Sequence, residues 1–422
     1  MSLSRRECLS GLAGLAVAGA ASGRADAAAS SSAGWPQWRG PNGNNIAVAG
    51  TVTPTTLDAS RVKWRTSVPG RGHSSPVIVG DAIYLTTADE ANQTQSVVAV
   101  GLDGRARWSR LVHRGGFARR IHPNNTHASP TVASDGKSLF AVFNNGGSVT
   151  LSSFGLDGTA RWQKTLGPFV PQRYEFGYGP SPIVHDGKVI VAAECDTGAF
   201  ITARDVATGG EVWRIKRPSD ITFSSPIVTT IAGREQMLIS GNHMVASYDP
   251  ATGTELWSVD ATTQATCGTM VWDGDLVFAS GGYPSPGTYC VRADGSKEIV
   301  WQNNQKCYEQ SMLAVGGYVY AVPDSGVAHC WRAADGETMW RERLGGRGWS
   351  SSPLLVGDTI TVLNERGEAF VFKATPDDFV GLAKTKVADE AFASPVAVGD
   401  TMYLRVANGA GSSRQEELIA FA

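Results

Sequence analysis

The side chains in this sequence best suited to chemistry fall one step ahead of a recurring phrase, a small residue followed by Ser-Pro. In chain order those positions read His73, His127, Gly179, Phe223, Thr266, Glu309, Ser350 and Phe392. Two imidazoles and a carboxylate gathered at one mouth, His73, His127 and Glu309, could hold a metal ion or move a proton. They lie far apart in the chain and lack the short spacings of a metal motif, so a solvated lining is the plainer reading. A second set is cationic. Arg71, Arg120, Arg173 and Arg347 stand in the stretches that lead toward the same phrases. Guanidinium forks match planar carboxylates, so a shared arginine rim would receive an anionic ligand or an acidic partner. The plainer alternative is exposed charge that serves solubility. Two long connections feed this face, 113–127 and 168–179; the second sets Phe169, Tyr174, Phe176 and Tyr178 beside Arg173 and Glu175, as at the centre of a protein interface. Trp331 and Trp349 stand outside the regular Trp positions and are candidates for stacking on a ligand. No Gly-x-Ser-x-Gly elbow, P-loop, His-Glu-x-x-His or EF-hand loop occurs, which removes support for a hydrolase or nucleotide enzyme.

The elements that must position these residues repeat. The phrase starts at Ser74, Ala128, Pro180, Ser224, Ser351 and Ala393, with degraded copies at Cys267 and Gln310. Each copy opens a β-branched run, followed by a Gly/Asp turn, further strands and a last strand that ends on a large aromatic. Those aromatics are Trp64, Trp108, Trp162, Trp213, Trp257, Trp301 and Trp340, expected to pack between neighbouring units. The seventh unit lacks one, and Leu382 is expected in its slot. A four-stranded unit cannot bury both faces alone, whereas eight stacked around an axis can. The expectation is therefore an all-β, eight-bladed β-propeller of four-stranded antiparallel blades. The eighth unit ends at Ala422 after about three strands, and Val62–Val68 carries the missing outer strand, so an N-terminal strand completes the last blade.

Bulk composition agrees. With 49 Gly, 20 Pro and 18% charged residues, the chain suits many short strands and turns, and a net charge of −2 argues against a nucleic-acid partner. The six cysteines (8, 195, 267, 290, 307, 330) form neither an adjacent pair nor a Cys-x-x-Cys motif. Disulfides joining Cys267 to Cys290 or Cys307 are open, and buried thiols are the plainer reading. Residues 1–27 read as a twin-arginine-like signal peptide, with Arg5-Arg6, an apolar run from Leu9 and a cleavage-type Ala25-Asp26-Ala27. Residues 28–58 read as an extended arm packed on the propeller and 59–422 as the propeller itself. An exported, periplasmic or secreted monomer without a membrane anchor is expected.

The segment Ala203-x-Asp205-x-x-Thr208-Gly209-x-x-x-Trp213 resembles the tryptophan-docking repeat of quinoprotein alcohol dehydrogenases and related eight-bladed propellers. The resemblance spans roughly residues 61–422 and covers two groups, the pyrroloquinoline quinone (PQQ) dehydrogenases and the BamB-like scaffolds of bacterial outer-membrane assembly. The enzyme pattern implies a disulfide between adjacent cysteines against the quinone, and a Ca²⁺ held by Glu, Asn and Asp beside a catalytic Asp. This chain has no Cys-Cys pair. The resemblance thus implies a non-enzymatic binding or scaffold module without a cofactor, which takes a protein or peptide partner at the propeller mouth. A dehydrogenase using PQQ and Ca²⁺ is the alternative.

Overall fold

The structure is a computed structural model and describes residues 34–422; the signal-peptide segment 1–27 and the first residues of the arm lie outside the described residues. Among these residues, thirty-two strands form eight four-stranded antiparallel sheets. The first blade comprises Val77–Val79, Ala82–Asp89, Thr94–Gly101 and Ala106–Arg114. Middle strands such as Ser138–Asn145 and Ser148–Gly155 are buried along most of their length, whereas outer strands such as Ala160–Pro168 are largely exposed. Radial stacking causes this gradient, because each blade's faces are covered by its two neighbours. The last blade is built from Val396–Val398, Thr401–Asn408 and Gln415–Phe421, with Val62–Val68 as its outer strand. Thr66 pairs with Leu418 and Val68 with Glu416, so the two chain ends close the ring as expected.

The Trp residues lock each blade to the next. The indole Nε1 of Trp64, Trp108, Trp162, Trp213, Trp301 and Trp340 donates to a carbonyl of the following blade, at 2.7 to 3.1 Å. Trp257 reaches the next blade through a relay: it donates to Gln236 Oε1 at 2.8 Å, and Gln236 Nε2 donates to Ala293 O at 2.8 Å. The turn glycine of the following blade lies flat on the ring. Gly253 has φ +76°, and a Cβ there would stand 2.8 Å from Trp213 Cε3. Glycine is required at this position by both its conformation and its contact. In the seventh blade the Trp position falls to Ala383, paired with Val371 ahead of the same register shift, and not to Leu382, which is exposed on the outer strand. The expectation for Leu382 was one residue out of register, which sends a side chain to the opposite face.

A second ring of contacts runs around the axis. Ser75 N donates to Thr131 Oγ1, Thr131 N to Ser181 Oγ and Ser181 N to Ser225 Oγ, at 2.9 to 3.0 Å. It resumes from Thr269 N to Ser311 Oγ, then to Ser352, to Ser394, and from Ser394 N back to Ser75 Oγ. These are side-chain hydroxyls two residues before each innermost strand. They satisfy backbone N–H groups at the buried hub that no ladder partner reaches.

The arm crosses one end of the axis. Trp35 exchanges two backbone hydrogen bonds with Ile78 of the first blade (2.9 and 2.8 Å), and Ala47 N donates to Leu355 O of the seventh. Between them Gln37 accepts from Val184 N, and the buried Arg39 donates to Met312 O at 2.8 Å. Trp38 Nε1 donates to Thr269 Oγ1 at 2.9 Å. The arm therefore packs on the propeller as expected, and Trp38 inserts at the hub.

Candidate functional site

At the other end of the axis the hub opens into a cavity of about 270 Å³. Its first tier is one residue from each blade, two before the hub hydroxyl: His73, Ser129, Gly179, Phe223, Cys267, Glu309, Ser350 and Phe392. Thr131, Ser181, Ser225 and Thr269 form the tier beneath, and Trp38 of the arm forms the floor. The two long connections supply one wall with His122, Asn124, Asn125 and Phe176, and Tyr283 and Tyr308 stand elsewhere on the lining. The connections are fastened to each other: His122 N donates to Phe176 O at 3.2 Å, and Arg120 pairs with Glu175 at 3.4 Å.

Six of the eight expected mouth residues line this cavity; His127 and Thr266 do not. In the second blade the Ser129-Pro130 match sets the register two residues early. The hub hydroxyl there is Thr131, so the first-tier position falls to Ser129. His127 instead stacks on Phe117 at 4.0 Å and lines a separate small cavity under the connection. In the fifth blade the hub hydroxyl is Thr269, which places Cys267 on the tier and buries Thr266 behind it. Counting back from the Ser or Thr that precedes each β-branched run, rather than from Pro, would have placed all eight. His73, His127 and Glu309 are not gathered, and among the described residues no group of three or more His, Cys, Asp or Glu side chains is arranged to hold a metal ion.

The four arginines stand outside the cavity lining. Arg71 pairs with Glu90 (3.8 Å), Arg120 with Glu175 (3.4 Å), and Arg173 with Asp196 (3.7 Å) and Asp220 (3.6 Å). Arg347 lines a shallow cleft with Glu365, Arg366, Asp389 and Glu390. The carboxylates beside them dilute the anion-binding field that a bare arginine rim would create. Trp349 is buried against Phe370, and Trp331 is buried between His329 and Trp301. Both are buried in the packing of the propeller, Trp331 on the strand Val327–Arg332 and Trp349 in the connection that follows Thr338–Arg343, and neither offers a face to a ligand. The described cysteines, Cys195, Cys267, Cys290, Cys307 and Cys330, are free thiols.

Within the cavity His73, Cys267 and Glu309 are pushed toward neutrality. His73 stacks on Phe392 at 4.3 Å, and burial, aided by Arg71, Arg405 and Arg414, holds its pKa well below the usual imidazole value. Burial raises the Cys267 thiol well above its usual range, with Glu309 adding to the effect, which favours the thiol over the nucleophilic thiolate. Burial also pushes Glu309 up to about 7, against a lowering hydrogen bond from Ser350 and with further upward pressure from Glu365 and Asp324. The folded pKa lies above the unfolded one, so this group's contribution to stability is present at low pH and fades as pH rises through about 7. After discounting for solvent in the open cavity, wild type should lose about 1–2 kcal/mol relative to Glu309→Gln between pH 5 and pH 8. Paired thermal denaturation across that range checks this; parallel curves would refute it.

Fold and site together define a Trp-docked eight-bladed propeller with an aromatic axial cavity. Sequence places it further. The family model described as outer membrane protein assembly factor BamB matches residues 13–176, 124–342 and 299–409, and the chain belongs to that family. No curated protein sequence matches it. Among solved structures, BamB from Moraxella catarrhalis superposes with a TM-score of 0.60 at 13% identity, over 84% of this chain and 96% of that one. A europium-containing methanol dehydrogenase gives 0.71 at 11% identity (93% and 98% covered). The quinohemoprotein alcohol dehydrogenase of Comamonas testosteroni gives 0.66 at 13% (93% and 81% covered). At these identities the likeness establishes the shared propeller fold, which scaffolds and enzymes both use.

Proposed function

We propose that this protein is a binding module of the bacterial envelope whose axial mouth captures a segment of a partner protein. The observation that carries the reading is the one-ended cavity. Its floor is formed by Trp38, its wall carries aromatic rings, and burial favours the protonated form of the Cys267 thiol over the nucleophilic thiolate. Membership of a family described as an assembly factor supports it. Among the described residues no helix is long and apolar enough to cross a membrane. On this reading the twin-arginine-like segment 1–27 supports a location in the periplasm or outside the cell.

The quinoprotein alternative fits the cavity poorly. PQQ carries three carboxylates, yet no Lys or Arg lines the cavity, and the one acidic side chain there would repel them. Titration of the mature protein with PQQ, with and without Ca²⁺, should show no saturable binding.

Capture of a specific partner from envelope extract tests the main reading when wild type is compared with Gly179→Trp. Gly179 sits on the first tier beside open space. A Cβ added there would meet its nearest atom, Phe223 Cβ, at 3.8 Å, an ordinary contact, so the backbone takes a side chain at this position and an indole there obstructs the mouth. Loss of capture with an unchanged Tm is expected; undiminished capture would exclude the mouth. The paired change Arg120→Ala with Arg173→Ala should weaken capture and leave stability within about 1 kcal/mol, because exposed ion pairs contribute little. Unchanged capture would remove the arginines from the contact face.

A further inference from the structure

The first tier carries one formal charge site, Glu309, with no lysine or arginine among the cavity's lining residues. Ser350 Oγ lies 2.5 Å from Glu309 Oε2 and 2.8 Å from Glu365 Oε1. A hydroxyl has a single hydrogen, so two such contacts need a second proton on one of the carboxyls. Glu309, the one turned into the cavity, is where a ligand's charge would displace it. Around it stand Cys267 from the fifth blade, Lys306 and Tyr308 from its own approach, Asp324 from the sixth blade, and Ser350 and Glu365 from the seventh. Lys306 is engaged by Asp324 at 3.1 Å, and its Nζ lies 5.3 Å over the Tyr308 ring. On the far side, Arg71, Arg405 and Arg414 are each held by a glutamate. The cavity thus sets one carboxyl, with no lysine or arginine on the lining, among several aromatic rings, a combination that suits a desolvated organic cation.

We propose that the axial cavity is a receptor for an alkylammonium head group, seated against Glu309 and covered by the rings of Phe176, Phe223, Tyr308 and Phe392. The inference rests on the cavity's being a binding site and specifies what enters it. The head group has two sources, a lysine side chain on the partner segment or a free quaternary amine. Binding a cation favours the carboxylate, so below about pH 7 it expels the Glu309 proton. Affinity therefore rises about tenfold from pH 6 to pH 8.

Calorimetry on the mature protein tests this with three probes: choline, Nα-acetyl-lysine methylamide, and 3,3-dimethyl-1-butanol as choline's neutral isostere. At least one cation should bind tenfold or more tightly than the alcohol at pH 8, and about tenfold less tightly at pH 6. Preference for choline assigns a free amine; preference for the lysine derivative assigns a partner's side chain. Glu309→Gln should lose tenfold or more in cation affinity together with the pH dependence. Phe392→Leu should weaken the cation and spare the alcohol. Equal binding of cation and alcohol, no binding of either cation, or an unchanged Glu309→Gln variant overturns the proposal. If cation binding fails while Gly179→Trp still abolishes partner capture, only the cation falls; if that capture also persists, the binding-site reading falls with it.

Discussion

Arg405→Met should destabilise the propeller by about 3–5 kcal/mol, the cost of leaving a buried charge without its partner. Arg405 is 2% exposed on a middle strand of the last blade, with Nε 2.7 Å from Glu416 Oε2. Its Nη1 donates to Ser74 Oγ at 2.7 Å and Thr86 O at 2.8 Å, both in the first blade. One guanidinium therefore clasps the last blade to the first, where no peptide bond links the innermost strands. Arg414, 3.0 Å from Glu416, keeps part of that carboxylate's compensation and pulls the cost toward the lower figure. For cooperative unfolding of a chain this long, the Tm should fall by roughly 4–6 °C. A change below about 1 kcal/mol would show that Val62–Val68, the Trp64 dock and the Ser394–Ser75 contact hold the ring closed without it.

Gly253→Ala should cost about 2–4 kcal/mol, from the left-handed backbone and from the collision with Trp213. The added methyl would lie 2.8 Å from the indole and 2.9 Å from Ile215 Cγ2. Trp213 cannot retreat without giving up its bond to Pro250 O at 3.1 Å. A double-mutant cycle separates the two causes. Combined with Trp213→Leu, the glycine change should cost only its backbone share, about 1–2 kcal/mol. Strict additivity would mean that the glycine serves its turn and not the dock.

Much of this fold was legible because each unit restates the same constraint. A turn glycine and a Trp four residues on (six for Gly295 and Trp301) encode a blade-to-blade dock, and the orphan strand at Val62–Val68 announces closure. The site was less legible, and register explains most of the difference. Pro130 looks like the anchor of the second unit, but the hub is held by hydroxyls, and the one that matters there is Thr131. That two-residue slip exchanged Ser129 for His127 and created an imidazole pair the structure does not contain. Trp38 was unreadable for another reason: its partner Thr269 lies 231 residues away, and only the closed ring brings them together. The arginines could be placed near the mouth from their loops, but their carboxylate partners come from other strands and connections.

A photo-crosslinking amino acid at position 392, compared with one at position 111, tests the central claim most directly. Phe392 stands on the first tier, and Leu111 is exposed on the outer strand of the first blade. Introduced singly in cells and irradiated, the residue at 392 should yield a discrete adduct with one partner, and that at 111 should not. An adduct from 111 with none from 392 would move the contact to the outer face and contradict an axial binding module.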